Sequence, residues 1–311
     1  MIDAAPRRRA PRALRAVIAI VGAGAFGALS AGDAHAYCFT TTCPGQDVCD
    51  GDTLPGCIPL YWGGGCPGYS VQVDGSALIS AETAETIVDL AFDQWRFVDC
   101  AGRRPGLYVW DMGQVACDKI EYNKDAGNAN VVVFRDDAWP HVDDTHNIAL
   151  TTTTFDPDTG ELLDADIELN SSTFTFTVDD LSIQYDLLSV LTHEAGHFLG
   201  LGHSQLPEAT MFAAYDAGTI ELRTPDADDV AAICSLYPPD DSVDSSCNPL
   251  QRHGFSPDCR DEQTEGSCAL RAGASSDSGA ASGVSALVAL ALARAVRART
   301  GRRRRSESPR A

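Results

Sequence analysis

The sequence predicts an α+β fold in which a twisted mixed β-sheet lies against an active-site helix and a C-terminal helix. A β-branched segment, 148–155, and a second strand candidate, 162–169, flank a turn and indicate a hairpin. An amphipathic helix is indicated over 80–98, and two later segments carry residues that begin and end helices. With 311 residues, 44% of them hydrophobic, the chain can form one good-sized domain with appendages or two small domains.

The first 36 residues, 1–36, are predicted to be a signal peptide. Five arginines accompany an apolar stretch, 16–29, that is too short to cross a bilayer. The segment 34–36, Ala-His-Ala, has the small-residue pattern of a cleavage site, so the mature chain is expected to begin at Tyr37. We favour general secretion over a twin-arginine route, because the paired arginines lack the residues that would complete that signal.

The cysteines agree with export. The chain has 11 of them, and ten lie between Cys38 and Cys259. An even number in an exported chain predicts up to five disulfides, whose connectivity the sequence leaves open. Residues 37–59 are therefore predicted to be a Cys-rich N-terminal segment, and Cys268 is left over.

The domain predicted over 60–240 begins with strands and a helix. Residues 69–74 alternate in polarity as a strand does, and Ser80 can cap the helix that follows. Residues 119–122 and 129–134 are further strand candidates. The hairpin then turns through an Asp-rich segment, where we favour turn chemistry over calcium binding as the reason for its composition.

The last two helices have defined ends. The helix over 187–199 is expected to stop at Gly200, because glycine readily takes the positive φ that turns the chain. The C-terminal helix is expected to begin at Thr224-Pro225-Asp226, with Pro225 at its first position, and to run to Tyr237.

The C-terminal part has a different character. Residues 241–267 are acidic and predict a linker that Cys247 and Cys259 clip into a loop. Residues 268–311 combine a cysteine, a short apolar run and clustered arginines, which resembles the sorting tag of many myxobacterial exported proteins. That resemblance implies membrane retention and processing near Cys268. A marginal membrane segment and a disordered basic tail are the alternative interpretations.

The charge of the chain is strongly segregated. Residues 37–267 hold nine basic and 40 acidic residues, a net charge of −31. This excludes a nucleic-acid partner, because phosphate contacts need clustered Lys and Arg. A solvated, self-repelling surface and scattered calcium ligation by Asp are the two explanations, and we favour the first.

The segment from His193 to His203, His-Glu-Ala-Gly-His-Phe-Leu-Gly-Leu-Gly-His, predicts a zinc site. His193 and His197 lie four residues apart on a helix, so their imidazoles share one face and can bind one ion. A turn at Gly200 would return His203 as the third ligand and leave the fourth position for water. Glu194, beside the first ligand, could then act as general base. A closed structural site would instead use a fourth Cys or His and no adjacent Glu, so we favour the catalytic interpretation.

This motif is the metzincin signature, and the residues after it resemble the matrixin branch. Met211 matches the methionine turn beneath the zinc, and Tyr215 matches the tyrosine that helps wall the specificity pocket. Ala213 stands where matrixins usually have proline. The resemblance covers roughly 60–240 and implies a metzincin-like fold with bound zinc. It also implies that an extended substrate pairs with the strand over 148–155.

Two departures from that family concern a second metal and latency. His141 and His146 lie where a structural zinc loop would be, but the later ligand positions are Thr or Ala, so we predict solvated loop histidines. No long propeptide is evident. Cys57 could be imagined as a cap over the zinc, and we predict that it forms a disulfide instead.

Together these features predict a secreted or surface-anchored zinc endopeptidase that hydrolyses protein or peptide substrates. Zinc is the predicted cofactor, with calcium a weaker second candidate, and the protein is expected to be a monomer that contacts the membrane through its C-terminal segment. Two other classes stay open, a zinc-binding surface protein without turnover and a cell-wall peptide hydrolase. Glu194 argues against the first of these, and the sequence barely separates the second from a protease.

Overall fold

The computed structural model of the chain describes residues 2–4, 36–49, 54–141, 146–240, 243, 247–249 and 253–258. Nearly all of the predicted signal peptide, most of the predicted linker and the whole predicted tail over 268–311 lie outside these residues, as do Cys259 and Cys268. Within the part of the chain that is described, no helix is long and apolar enough to cross a membrane.

The described chain has the predicted α+β class. Its strands are, in chain order, β1 (Ile2–Ala4), β2 (Cys38–Phe39), β3 (Val48–Cys49), β4 (Gly68–Gln72), β5 (Trp110–Val115), β6 (Val131–Phe134), β7 (Asn147–Phe155), β8 (Leu162–Leu169), β9 (Phe176–Thr177), β10 (Tyr185–Asp186) and β11 (Ala214–Tyr215). Its helices are α1 (Ala81–Arg96), α2 (Leu187–Phe198) and α3 (Ala227–Leu236).

The main sheet is mixed, as predicted. Strands β5, β4, β6 and β8 run parallel in that order, and β7 pairs antiparallel with β8. The predicted hairpin is therefore confirmed, and its register places Thr151 opposite Ile167. Beyond β7 the sheet continues through β1 and ends at β11.

Strand β1 was not predicted, because its residues fall in the segment assigned to the signal peptide. Its backbone pairs antiparallel with β7 and parallel with β11. An extended segment thus fits beside β7, between β7 and β11, which matters for the proposed function.

The main core lies between the sheet and the first two helices. Ser80 caps α1 as predicted, because its Oγ accepts a hydrogen bond from Thr83 N at 3.3 Å. Trp95 on α1 is fully buried, and its indole N–H donates to Thr192 O of α2 at 2.8 Å. This bond satisfies the indole nitrogen and fixes α1 against α2.

Two predicted elements are wrong in detail. Residues 119–122 form no strand, and Ile120 packs instead against a small second core on the other face of the sheet, with Val131 and Val133 among its members. Ile120 is therefore apolar because it packs against this core, and not because it belongs to a strand. Pro225 is not the first residue of α3, because Asp226 is the N-cap and forms a capping box with Asp229.

Disulfides fix the periphery of the domain. Four pairs join Cys38 to Cys49, Cys43 to Cys57, Cys66 to Cys247 and Cys100 to Cys234, and Cys117 is disulfide-bonded as well. The expected Cys247–Cys259 clip is wrong, because Cys247 bonds far back in the chain. Cys57 forms a disulfide, as predicted. Bonds of this number fit an extracellular protein.

Candidate metal centre

Helix α2 carries the first part of the predicted metal site, and its N-terminus is strongly anchored. Asp186 is the N-cap and accepts hydrogen bonds from Ser189 N at 2.9 Å and Ser189 Oγ at 2.8 Å. The fully buried Asp186 carboxylate also accepts two hydrogen bonds from Arg223, at 2.6 and 2.8 Å. A two-pronged pair of this kind is among the stronger ionic contacts and holds the start of the helix in place.

Gly200 ends the helical run and turns the chain, as the sequence predicts. Its φ is +97°, and the bonds Gly200 N to His197 O (2.9 Å) and Leu201 N to Gly196 O (3.0 Å) close the helix end. A Cβ at position 200 would also overlap the Leu60 carbonyl. Both the backbone angle and the close approach therefore require glycine.

The turn brings His203 back to the two histidines of α2. One ring nitrogen from each of His193, His197 and His203 lies within 4.8 Å of the others, and the Nε2 atoms of His197 and His203 are 3.1 Å apart. Over the described ranges this is the one group of three or more His, Cys, Asp or Glu side chains close enough to hold a metal ion.

Backbone carbonyls fix the tautomers of two of these imidazoles. His193 Nδ1 donates to Thr210 O at 2.6 Å, and His197 Nδ1 donates to Leu201 O at 2.9 Å. Nε2 then carries the lone pair on each ring, which is the arrangement of zinc-binding histidines. Burial, with the neighbouring imidazoles adding to it, holds the pKa of His197 well below its usual value, so the ring is neutral as a ligand must be. The donor set fits zinc.

Glu194 lies beside the histidines and is fully buried. Its Oε2 accepts a hydrogen bond of 2.6 Å from Thr151 Oγ1 on β7. The predicted base is therefore held between α2 and β7.

Met211 packs against α2 beside His197. It is 2% exposed, and its sulfur packs so closely on Gly196 that a Cβ there would overlap it. Asp229 of α3 holds this turn through bonds from Thr210 N (2.6 Å) and Met211 N (3.1 Å). Burial raises the pKa of Asp229 to about 6, although these backbone bonds oppose the shift.

Tyr215 is buried next to the start of α2. Its hydroxyl accepts from Asp186 N at 3.1 Å and donates to Thr219 O at 2.5 Å, which fixes the ring beside β11. Its part in a specificity pocket stays a prediction, as does the effect of Ala213.

The two loop histidines form no second metal centre among the described residues. His141 Nε2 lies 2.7 Å from Glu168 Oε2, and Arg135 Nε donates to the other oxygen of Glu168 at 2.6 Å. His141 thus has an acidic partner, where the sequence predicted a solvated side chain, and His146 is exposed. Calcium binding stays a prediction.

Several residues that support the site were missed from the sequence. Thr151 belongs to a run of four threonines, which indicates only a strand, and nothing in the run singles it out. Asp186 and Arg223 are 37 residues apart, so only the fold brings them together. Asp229 could have been noticed as one of two acids in the first turn of α3, although its bonds to the methionine turn could not.

Part of the chain, including this site, is similar to known proteins. Residues 112–238 match the profile of the Matrixin peptidase family. Matrilysin of Rattus norvegicus is 44% identical over 52 residues, which is 17% of this chain and 20% of its own length. Metalloendoproteinase 4-MMP of Arabidopsis thaliana is 36% identical over 85 residues, 27% of this chain and 24% of its own. Macrophage metalloelastase of Oryctolagus cuniculus is 50% identical over 54 residues, 17% of this chain and 11% of its own.

The chain therefore spans about a quarter or less of the length of these curated relatives. The matched profile begins within β5 and ends just after α3. It includes the whole histidine triad, and the mixed sheet with its helices is consistent with a matrixin fold, as predicted.

Proposed function

We propose that the protein is a zinc-dependent endopeptidase that cleaves extended segments of proteins outside the cytoplasm. The observation that carries the proposal is the convergence of three imidazoles at one point, with the Glu194 carboxylate beside them. The Matrixin match over 112–238 and the similarity to relatives named as a metalloendoproteinase and a metalloelastase support the same class.

In this proposal His193, His197 and His203 hold the zinc through their Nε2 atoms. Bound zinc supplies Lewis-acid chemistry, because it lowers the pKa of water and polarises a peptide carbonyl. Glu194 accepts the proton of the attacking water at its carboxylate and delivers that proton to the leaving amine. Met211 is proposed to support the triad, because its contact with Gly196 fixes the position of α2 relative to the methionine turn.

The substrate is proposed to bind as an added strand along β7. Strand addition recognises the backbone, and β1 supports it, because this segment already lies antiparallel to β7 and parallel to β11. Tyr215 is proposed to wall the pocket that takes a substrate side chain, with Ala213 in place of the more rigid proline.

Export and anchoring complete the proposal. The chain is proposed to leave the cytoplasm through residues 1–36 and to be held at the surface by residues 268–311, near Cys268. The disulfides support an extracellular location. Calcium bound to the acidic surface would be a second cofactor, and the protein is proposed to act as a monomer.

The test uses protein recovered from the secreted fraction of an expression host. Casein and a peptide library are digested by the wild type, by Glu194→Ala and by the wild type after chelation and zinc re-addition. We expect activity in the wild type, loss in Glu194→Ala, and loss followed by recovery in the chelated sample.

Other outcomes select the alternatives. Equal activity of wild type and Glu194→Ala would overturn the mechanism. Stoichiometric zinc without cleavage of any peptide would favour a surface binding protein. Cleavage of cell-wall peptides alone would favour an envelope hydrolase. N-terminal sequencing of the secreted protein tests the expected start at Tyr37.

A further inference from the structure

Thr151 is the first of four consecutive threonines on β7, and its side chain contacts the metal-site helix α2. Its Oγ1 lies 2.6 Å from Glu194 Oε2 and 3.2 Å from the Glu194 carbonyl oxygen. A hydroxyl has one proton to donate, and the carboxylate at 2.6 Å is the nearer and more strongly accepting partner. The hydroxyl therefore donates to the side chain of Glu194.

The strand holds this hydroxyl in place. Thr151 pairs with Ile167 of β8, which is 1% exposed, and Ala149 on the same face of β7 is fully buried. A β-branched side chain also has few rotamers, so its hydroxyl has a narrow range of positions. Strand pairing and β-branching therefore both restrict the position of the Thr151 hydroxyl.

Glu194 needs such a support more than a shorter side chain would. Three rotatable bonds separate its carboxylate from the backbone of α2, and a general base acts well only when its oxygen lies at a set distance from the proton that it accepts. A fixed donor on the facing strand removes alternative rotamers of the carboxylate.

We infer that Thr151 is a positioning residue for the general base, and that its hydroxyl orients the Glu194 carboxylate toward the histidine triad. This inference rests on the proposed function and adds a residue that the metal-binding motif does not contain. The role belongs to the strand proposed to bind the substrate, so one element aligns both the peptide and the base.

The test compares Thr151→Val, which has nearly the same shape without the hydroxyl, with Thr151→Ser, which keeps it. Thr86→Val on α1 is the matched control, because the Thr86 hydroxyl donates only to the exposed Glu82 carbonyl. For secreted wild type and variants we measure zinc content, melting temperature, kcat and KM. We expect Thr151→Val to lower kcat about 10- to 100-fold, as for loss of a hydrogen bond to a charged group. KM and zinc content should stay within about twofold.

A second measurement does not depend on activity. Unfolding equilibria are measured for Thr151→Val, Glu194→Ala and the double variant. If the hydroxyl contacts the carboxylate, the two changes are coupled, and the double variant departs from additivity by about tenfold in the unfolding equilibrium constant.

The outcomes separate this inference from the proposed function. An inactive wild type, or an active Glu194→Ala, would overturn the proposed function. An active wild type with Thr151→Val equal to it, or with Thr151→Ser as impaired as Thr151→Val, would overturn the positioning role alone. So would additivity in the unfolding cycle. Rescue by Thr151→Ser, together with coupling, supports it.

Discussion

The buried acid pair on β8 should make the stability of the domain depend on pH. Asp164 and Asp166 lie two residues apart on one strand, and both are at most 2% exposed. Asp166 Oδ1 accepts from Val131 N at 2.7 Å, but Asp164 Oδ1 and Asp166 Oδ2 have no donor among the described residues. Two buried charges without a cation are costly, so the folded pair retains a proton.

The sign follows from the pKa values. Burial raises the pKa of Asp164 from its ordinary value of 3.8 to about 7, with the charge of Glu121 adding to the shift and a hydrogen bond to Asp166 opposing it. Burial and the charge of Asp164 also raise the pKa of Asp166. The unfolded chain releases the proton near pH 4, but the folded chain keeps it until about pH 7. This contribution to stability is therefore complete below pH 4 and is lost as pH rises to about 7.

The magnitude follows from the width of that window. One pKa unit corresponds to about 1.4 kcal/mol, so between pH 5 and pH 7 the free energy of unfolding should fall by about 3 kcal/mol. For a domain of this size that is a fall in melting temperature of about 5 to 10 °C. Asp164→Asn removes one of the two titrating acids and offers an amide donor to Asp166, so it should lack the part of this fall that belongs to Asp164, while Asp166 keeps its own.

The assay is a set of melting curves at pH 5, 6, 7 and 8 for wild type, Asp164→Asn and the exposed control Asp125→Asn. The quantity of interest is the difference between variant and wild type, because pH effects on other groups cancel in it. We expect Asp164→Asn to gain on the wild type as pH rises, and Asp125→Asn to stay parallel to it. Parallel curves for all three proteins would refute the shared-proton argument.

Three further changes test the architecture around the metal centre. Gly200→Ala should cost about 2 to 4 kcal/mol in denaturant titrations and lower zinc content. Gly218→Ala, also at positive φ but where a Cβ would make only an ordinary contact of 3.8 Å with Ile183 O, should cost only about 1 kcal/mol. Asp186→Ala should lower the free energy of unfolding by about 3 kcal/mol, and Asp186→Asn by less because it can still cap α2. In the full-length chain Asp3→Pro should raise kcat/KM severalfold for a peptide substrate, because proline removes a backbone donor from β1 and weakens its pairing with β7. Asp3→Ala keeps that donor and should leave kcat/KM unchanged. Equal kcat/KM values for the two variants would contradict the idea that β1 occupies the substrate position along β7.

The sequence predicted best those features that depend on local chemistry. The ends of α1 and α2, the β7–β8 hairpin and the turn at Gly200 follow from caps, β-branching and a positive φ, all of which are read within a few residues. The spacing of His193 and His203 on either side of that turn was sufficient to bring them together. The start of α3 was misplaced by two residues, because Thr224 and Asp226 can both cap a helix and the structure uses Asp226.

Features that depend on distant partners could not be predicted in the same way. Trp110–Val115 forms β5 although Gly113 and Asp111 weaken its pattern, because parallel pairing with β4 supplies its hydrogen bonds. Cys247 pairs with Cys66, 181 residues away, and no local rule selects that partner. Arg223, which binds the N-cap residue Asp186, lies much later in the chain, and no local sequence pattern predicts that contact.

The catalytic proposal thus depends on α2 and β7, and the His193–His203 motif contains no residue of β7. Helix α2 and its glycine turn supply all three imidazoles. The carboxylate of Glu194, however, receives its hydrogen bond from β7, whose own position is set by its register against β8. A change that shifts β7 by one residue would turn Thr151 to the opposite face of the sheet and leave the histidines in place. Metal binding and turnover should therefore be separable in this protein, and Thr151→Val is the smallest change that would separate them.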